Sequence, residues 1–230
     1  MRDDAGKVIA AGDIIQQYRG PLVTTHVVLH FRDGSLDDET TVFTERRTFH
    51  LVSDRHIQRG PSYPHPLETY IDTATGMMTV HSTDKNGEQR VTTDHIDMPP
   101  DLGNGLDYTF MINLPASSKP IEFPLLIATP KPRLIKMSIS SRGEESCFIA
   151  GVRRKVTHYA GKIELGGVEG ALAPLIGKQP EDAQIWVLGG EVPTLVKVQT
   201  ELYPGGPVWT IELAAPSWPA APAAGKGAKK

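Results

Sequence analysis

Along most of the chain, apolar and polar residues alternate with a period of two, as in a strand with one face buried and one face wet. In Leu22–Phe31 (LVTTHVVLHF), Val23, Val27, Leu29 and Phe31 share one face. Thr24, His26 and His30 share the other, broken by Val28. Glu39–Asp54 (ETTVFTERRTFHLVSD) follows Asp33-Gly34, a hairpin signal because glycine accepts positive φ without a Cβ clash. MMTVHST and EQRVTTDHID flank Asn86-Gly87, the clearest such turn. Further strands are predicted at Leu134–Ser140, Arg153–Leu165, Ala183–Gly189, Thr194–Leu202 and Val208–Leu213. Strands recurring roughly every ten to fifteen residues, with Gly, Pro or Asn-Gly between them, predict an antiparallel meander.

Helical spacing is confined to Pro100–Pro115 (PDLGNGLDYTFMINLP), where Leu102, Leu106, Phe110 and Leu114 recur every fourth position. Gly103 and Gly105 each cost about 1 kcal/mol against alanine inside a helix, so the helix is predicted to begin near Gly105. EGALAPLIG carries Pro174 and reads as a turn or a single helical turn. The fold class expected is all-β, or a β-dominated α+β: an antiparallel curved sheet, half-barrel to barrel, with one or two short helices. No 20–50-residue repeat suggests a solenoid or propeller. One domain is expected over residues 12–213. Residues 214–230, rich in Ala, Pro, Gly and Lys, read as a flexible tail that buries little beyond Trp218.

Composition narrows the partners. A hydrophobic share of 39% is enough for a real core. Net charge is −3, and the basic residues concentrate only at Arg153-Arg154-Lys155 and in the tail, so no nucleic-acid partner is expected. No apolar run approaches the roughly 18 residues of a membrane span. The N-terminus, MRDDAGKVIAAGD, lacks a signal peptide's apolar stretch. That leaves a cytoplasmic protein, or a periplasmic or secreted one whose leader is not part of the sequence. The single cysteine, Cys147, forbids an internal disulfide and fits either setting.

Sharp catalytic motifs are missing from the chain. His26 and His30 would lie about 13 Å apart along one strand face, too far to share a metal without a residue such as His50 or His81. With no Cys-x-x-Cys or His-Glu-x-x-His, neither metal nor cofactor is predicted. Asp33, Ser35, Asp37 and Glu39 resemble the start of a calcium loop. However, Gly34 is misplaced and the twelfth position is not acidic, so a hairpin is the simpler reading. No Gly-x-Ser-x-Gly occurs, and Glu144 and Glu145 would raise the Cys147 thiol, the wrong direction for a nucleophile. Phosphate-binding glycine loops are also missing.

The candidate site is the stretch SDRHIQRGPSYPHPLETYID (53–72), read as a stiff connection between a strand ending near Val52 and one starting near Met77. Residues before proline are pushed to extended backbone, which holds Gly60, Tyr63 and His65 out of helix. Arg55, His56, Arg59, Tyr63 and His65 are the candidate ligand-binding residues, suited to an anionic or aromatic ligand at a barrel mouth. The competing reading packs Tyr63 and Leu67 as a lid over the core and leaves the charges in water. An inner sheet face bearing Val27, Leu29, Phe31, Phe43, Phe49, Leu51, Trp186, Trp209 and Ile211 points to a binding or carrier protein. Its ligand would be a lipid or a small amphipathic molecule, with no catalysis. Two alternatives stand beside it. One is a hydrolase-like enzyme using Asp54, His56 and His65. The other is a structural subunit of an envelope complex, with Phe123–Arg133 as an edge strand guarded by Pro124, Pro130 and Pro132.

The phrases DDETTVFTERRTFHLVSDRHIQRGP, PPDLGNGLDYTF, ATPKPRLIKMSIS and GKQPEDAQIWVLGGEVPTLVKVQTELYPGGPVWTIEL resemble an uncharacterised family of bacterial β-rich proteins. The resemblance implies a secretion leader, hence a periplasmic or secreted domain. More distantly, the C-terminal order is similar to a bacterial periplasmic half-barrel domain of unknown function: a strand carrying Ile185-Trp186, then EVPTLVK, then a strand ending at Leu213. That architecture is similar to the lipoprotein carriers, and implies that a helix over Gly105–Asn113 plugs a concave sheet.

Overall fold

A computed structural model describes residues 1–83, 86–114, 119–128, 132–149, 152–164 and 180–214. Two antiparallel sheets make up the fold, and neither closes into a barrel. The first is a seven-stranded meander in chain order: β1 (Ala10–Arg19), β2 (Leu22–Phe31), β3 (Leu36–Arg46), β4 (Thr48–Arg59), β5 (Leu67–Asp72), β6 (Met77–Thr83) and β7 (Gln89–His95). After α1 (Asp107–Asn113) comes a six-stranded sheet: β8 (Ile121–Ile127), β9 (Arg133–Ile149), β10 (Val152–Glu164), β11 (Ala183–Leu188), β12 (Thr194–Glu201) and β13 (Val208–Glu212). Its spatial order runs from β13 to β8. Among the described residues, no helix is long and apolar enough to cross a membrane. The helical turn expected in EGALAPLIG, the tail from residue 215 and Pro130 lie outside the described residues.

Several strands differ from the sequence expectation. Glu39–Asp54 is two strands, because Arg47 adopts φ 75° and reverses the chain between Arg46 and Thr48. The expected 53–72 connection is mostly strand as well: β4 continues to Arg59 and β5 pairs with it from Leu67. Only 60–66 is a true connection, and it is there that the three prolines fall. β1 was not expected, since its exposed positions carry no clean alternation. Pro124 does sit in an edge strand, β8, where a missing N–H can face solvent.

The sheets meet over apolar faces, with α1 between them. Val23, Phe43, Leu51, Ile71 and Met78 of the first sheet pack with Leu102 and Leu106, just before the helix. Met111 of α1 packs with Ile139, Tyr159, Ile185 and Val198 of the second sheet. Phe110 joins the two halves, its ring 5.9 Å from Phe49 and 4.6 Å from Phe123. Burial of each such side chain contributes about 1.5–3 kcal/mol. At one end Phe31, Tyr63 and Trp209 form an aromatic cluster. Arg2 bridges the backbone of Thr210 beside it, tying the N-terminus to β13. The inner-face set holds with one correction: Trp186 lies on the outer face. It stacks on His158 at 4.7 Å, with Lys197 over its ring.

Candidate functional site

Residues two apart on a strand share a face, so the register of β3 and β4 decides which polar groups meet. Asp37 lies opposite Gln58, Glu39 opposite His56, and Thr41 opposite Asp54. All six face the interior between the sheets. Asp37, Thr41, Asp54 and Gln58 are buried, while the Glu39 and His56 side chains keep 22% and 29% of their surface exposed. The result is a polar island, with Phe43 and Leu51 at one end and Leu29 and Phe31 at the other.

The island is closely bonded. His56 Nε2 lies 3.1 Å from Asp37 Oδ1, and its Nδ1 3.8 Å from Glu39 Oε1. Tyr63 OH and Gln58 Nε2 donate to Asp37 Oδ2 at 2.7 and 2.8 Å. Gln58 Nε2 also reaches the carbonyl of Leu202, just past the end of β12. Thr41 Oγ1 donates to Asp54 Oδ1 at 2.9 Å. Gly105 covers that last pair so closely that a Cβ there would sit 1.9 Å from Thr41 Oγ1. Asp107, exposed at the start of α1, adds a further negative charge to the same field.

Burial and crowding set the protonation states. Burial pushes the Asp54 carboxyl up to about 6, against the opposing pull of His56 and Thr41. Glu39 is raised well above the usual carboxylate range, by burial first and then by the charge of Asp54. Burial works against the charge on His56, but Glu39 and Asp37 outweigh it and hold the imidazolium up to about 10. Asp37 is lowered: burial opposes ionisation, yet the bonds from His56, Tyr63 and Gln58 prevail. A raised His56 stabilises the fold fully below its unfolded value of 6.5, and the gain is lost as pH climbs to about 10. A raised Asp54 adds a penalty between 3.8 and about 6, as the carboxylate is forced to ionise in the interior. Depressed Asp37 contributes stability above 3.8 and loses it as acid is added. The urea midpoint is therefore expected to peak near pH 4, to drop as Asp54 ionises toward pH 6, and to fall again toward pH 10. In His56→Gln the upper part of that fall should disappear.

Of the five predicted site residues, His56 and Tyr63 join the island. Arg55 points to the opposite face, where it pairs with Glu68 at 2.6 Å. Arg59 and His65 are exposed at the end of β4 and in the 60–66 connection. His26, on the outer face, pairs with Asp38 at 3.0 Å. Asp37 and Glu39 entered the sequence reading only as a calcium-like run, and Asp107 not at all. The signal for the first two was polar residues at the same parity as buried Phe43. No family model, curated protein or solved structure matches the chain.

Proposed function

We propose that the protein is a periplasmic or secreted binding protein that holds a small amphipathic ligand at the Glu39–His56 end of the polar island, without acting on it. One observation carries this. Ile14, Val27, Glu39 and His56 lie side by side across four strands on one sheet face. That row runs about 14 Å, three inter-strand spacings, from an apolar edge to an ionisable centre. Ile14 is 46% exposed, and Tyr18, four residues further along the same face, 68%, so the apolar edge is open.

Around the row's polar end the carboxyl groups of Asp37, Glu39 and Asp54 outnumber the one imidazolium, which favours a cationic or proton-donating head group. Such a head would offset the burial and the charge of Asp54 that raise Glu39. Catalysis is disfavoured because His56, protonated near neutral pH, cannot accept a proton, and the Thr41 hydroxyl is already committed to Asp54. Native mass spectrometry with dodecylamine and dodecanoate tests the reading. Dodecylamine is expected to bind, and Glu39→Gln to weaken it about tenfold, the scale of one charge-assisted hydrogen bond. Binding of neither amphiphile would sink the proposal.

The hydrolase-like reading has one observation of its own: Asp54 and Glu39 are two neighbouring carboxyl groups that burial holds above the usual carboxylate range. Turnover of p-nitrophenyl acetate or phosphate that Asp54→Asn abolishes would put that reading first.

A further inference from the structure

The longest strand pair, β9 with β10, runs past both of its neighbours. β8 stops pairing with β9 at Ile139, and β11 stops pairing with β10 at Thr157. Beyond the buried Val156, the two strands pair only with each other as far as Ile149 and Val152. This leaves an arm reaching about 14 Å outward. At its end Phe148 is 75% exposed and Val152 49%. Behind them Arg153, Arg154 and Lys155 are all exposed.

Which face each side chain takes is informative. Phe148 pairs with Arg153, and Lys155 shares their face. Ile149 pairs with Val152 on the other face, with Arg154 two residues behind. The end of the arm is thus apolar on both faces and has cations behind it on both. A protein groove takes up one face of a strand pair, whereas a lipid surface surrounds an end-on tip and meets a two-sided basic collar with its head groups. Lys155 is held by Glu144 at 2.7 Å, so the two arginines dominate the collar. The chain carries −3 overall, and this concentration of cations would turn the arm toward an anionic surface.

We propose that the β9–β10 arm inserts Phe148, Ile149 and Val152 into the head-group layer of an anionic lipid surface, with Arg153 and Arg154 on the phosphates. The full-length protein is expected to sediment with phosphatidylglycerol–phosphatidylcholine vesicles and not with phosphatidylcholine alone. A polarity-sensitive probe on Cys147, the chain's single cysteine and a neighbour of Phe148, should shift to the blue on the same vesicles. R153Q/R154Q should weaken partition by about thirtyfold at low salt, since each basic side chain near such a surface contributes about fivefold. F148S/V152S should abolish the probe's shift, with the far-UV spectrum of both variants unchanged. Absence of sedimentation with the anionic vesicles overturns the proposal. So does binding that survives R153Q/R154Q, which would belong to the tail lysines Lys226, Lys229 and Lys230. Self-association broken by F148S/V152S, without vesicle binding, would assign the arm to a second copy of the chain and overturn it equally.

Discussion

His56→Ala is expected to destabilise the protein by about 3–5 kcal/mol, the cost of removing one partner from a buried ion pair. Asp37 is itself buried, and its two oxygens accept from His56, Gln58 and Tyr63. Without the imidazolium, two neutral donors remain to it, while Glu39 and Asp54 lose the one cation that favours their ionisation. Arg55, the preceding residue, makes a shorter contact to Glu68, yet that pair is exposed. Arg55→Ala should cost less than about 1 kcal/mol. Two adjacent residues on one strand thus differ severalfold because they face opposite sides of the sheet. Urea unfolding near neutral pH reads both. A His56→Ala loss no larger than that of Arg55→Ala would mean that water screens the island, and the protonation states derived for it would not stand.

Why His56 sits inside was not legible from the sequence. Strict alternation from buried Leu51 carries Ser53, Arg55 and Ile57 inward and turns His56 out. In the structure Val42 pairs with Ser53 and Phe43 with Leu51, so Val52 is an extra residue on β4. That bulge exchanges the two faces of the strand, and Asp54, His56 and Gln58 turn inward. Pattern reading has no purchase on such a slip, because nothing in LVSD marks it. The Arg47 turn is hidden for a related reason: a left-handed arginine carries none of the Gly, Asn or Pro chemistry by which turns are recognised. Elsewhere the signals agree with one another. Gly34 and Gly87 take φ of +88° and +81° in the turns that Asp-Gly and Asn-Gly announce. α1 begins two residues after Gly105, with Leu106 fully buried as the four-residue spacing requires. The antiparallel class was therefore readable. The island was not, since it depends on a register that only pairing reveals.

Gly105→Ala should cost about 4 kcal/mol or more. Three effects add. The residue has φ +64°, where an L side chain costs about 1–2 kcal/mol. The new Cβ would fall 1.9 Å from Thr41 Oγ1 and 2.6 Å from Asp54 Oδ1, so the α1 entry or strand β3 must move. That movement breaks a bond to a charged group, about 1.5–3 kcal/mol. Gly34→Ala is the control: φ is equally positive, but its Cβ would meet nothing within 4 Å, so only the conformational cost remains. Thr41→Ala should recover part of the Gly105→Ala loss by removing the nearer atom, giving a double-mutant cycle that is less than additive. A second consequence separates this clash from ordinary strain. It is the close approach of Gly105 that keeps water from Asp54, and burial is what lifts that carboxyl to about 6. With the α1 entry displaced, Asp54 should titrate closer to the usual 3.8, a shift measurable by carboxyl carbon NMR. Were Gly105→Ala as mild as Gly34→Ala, with Asp54 still near 6, the entry to α1 would lift freely and something other than its backbone would be keeping that carboxyl dry.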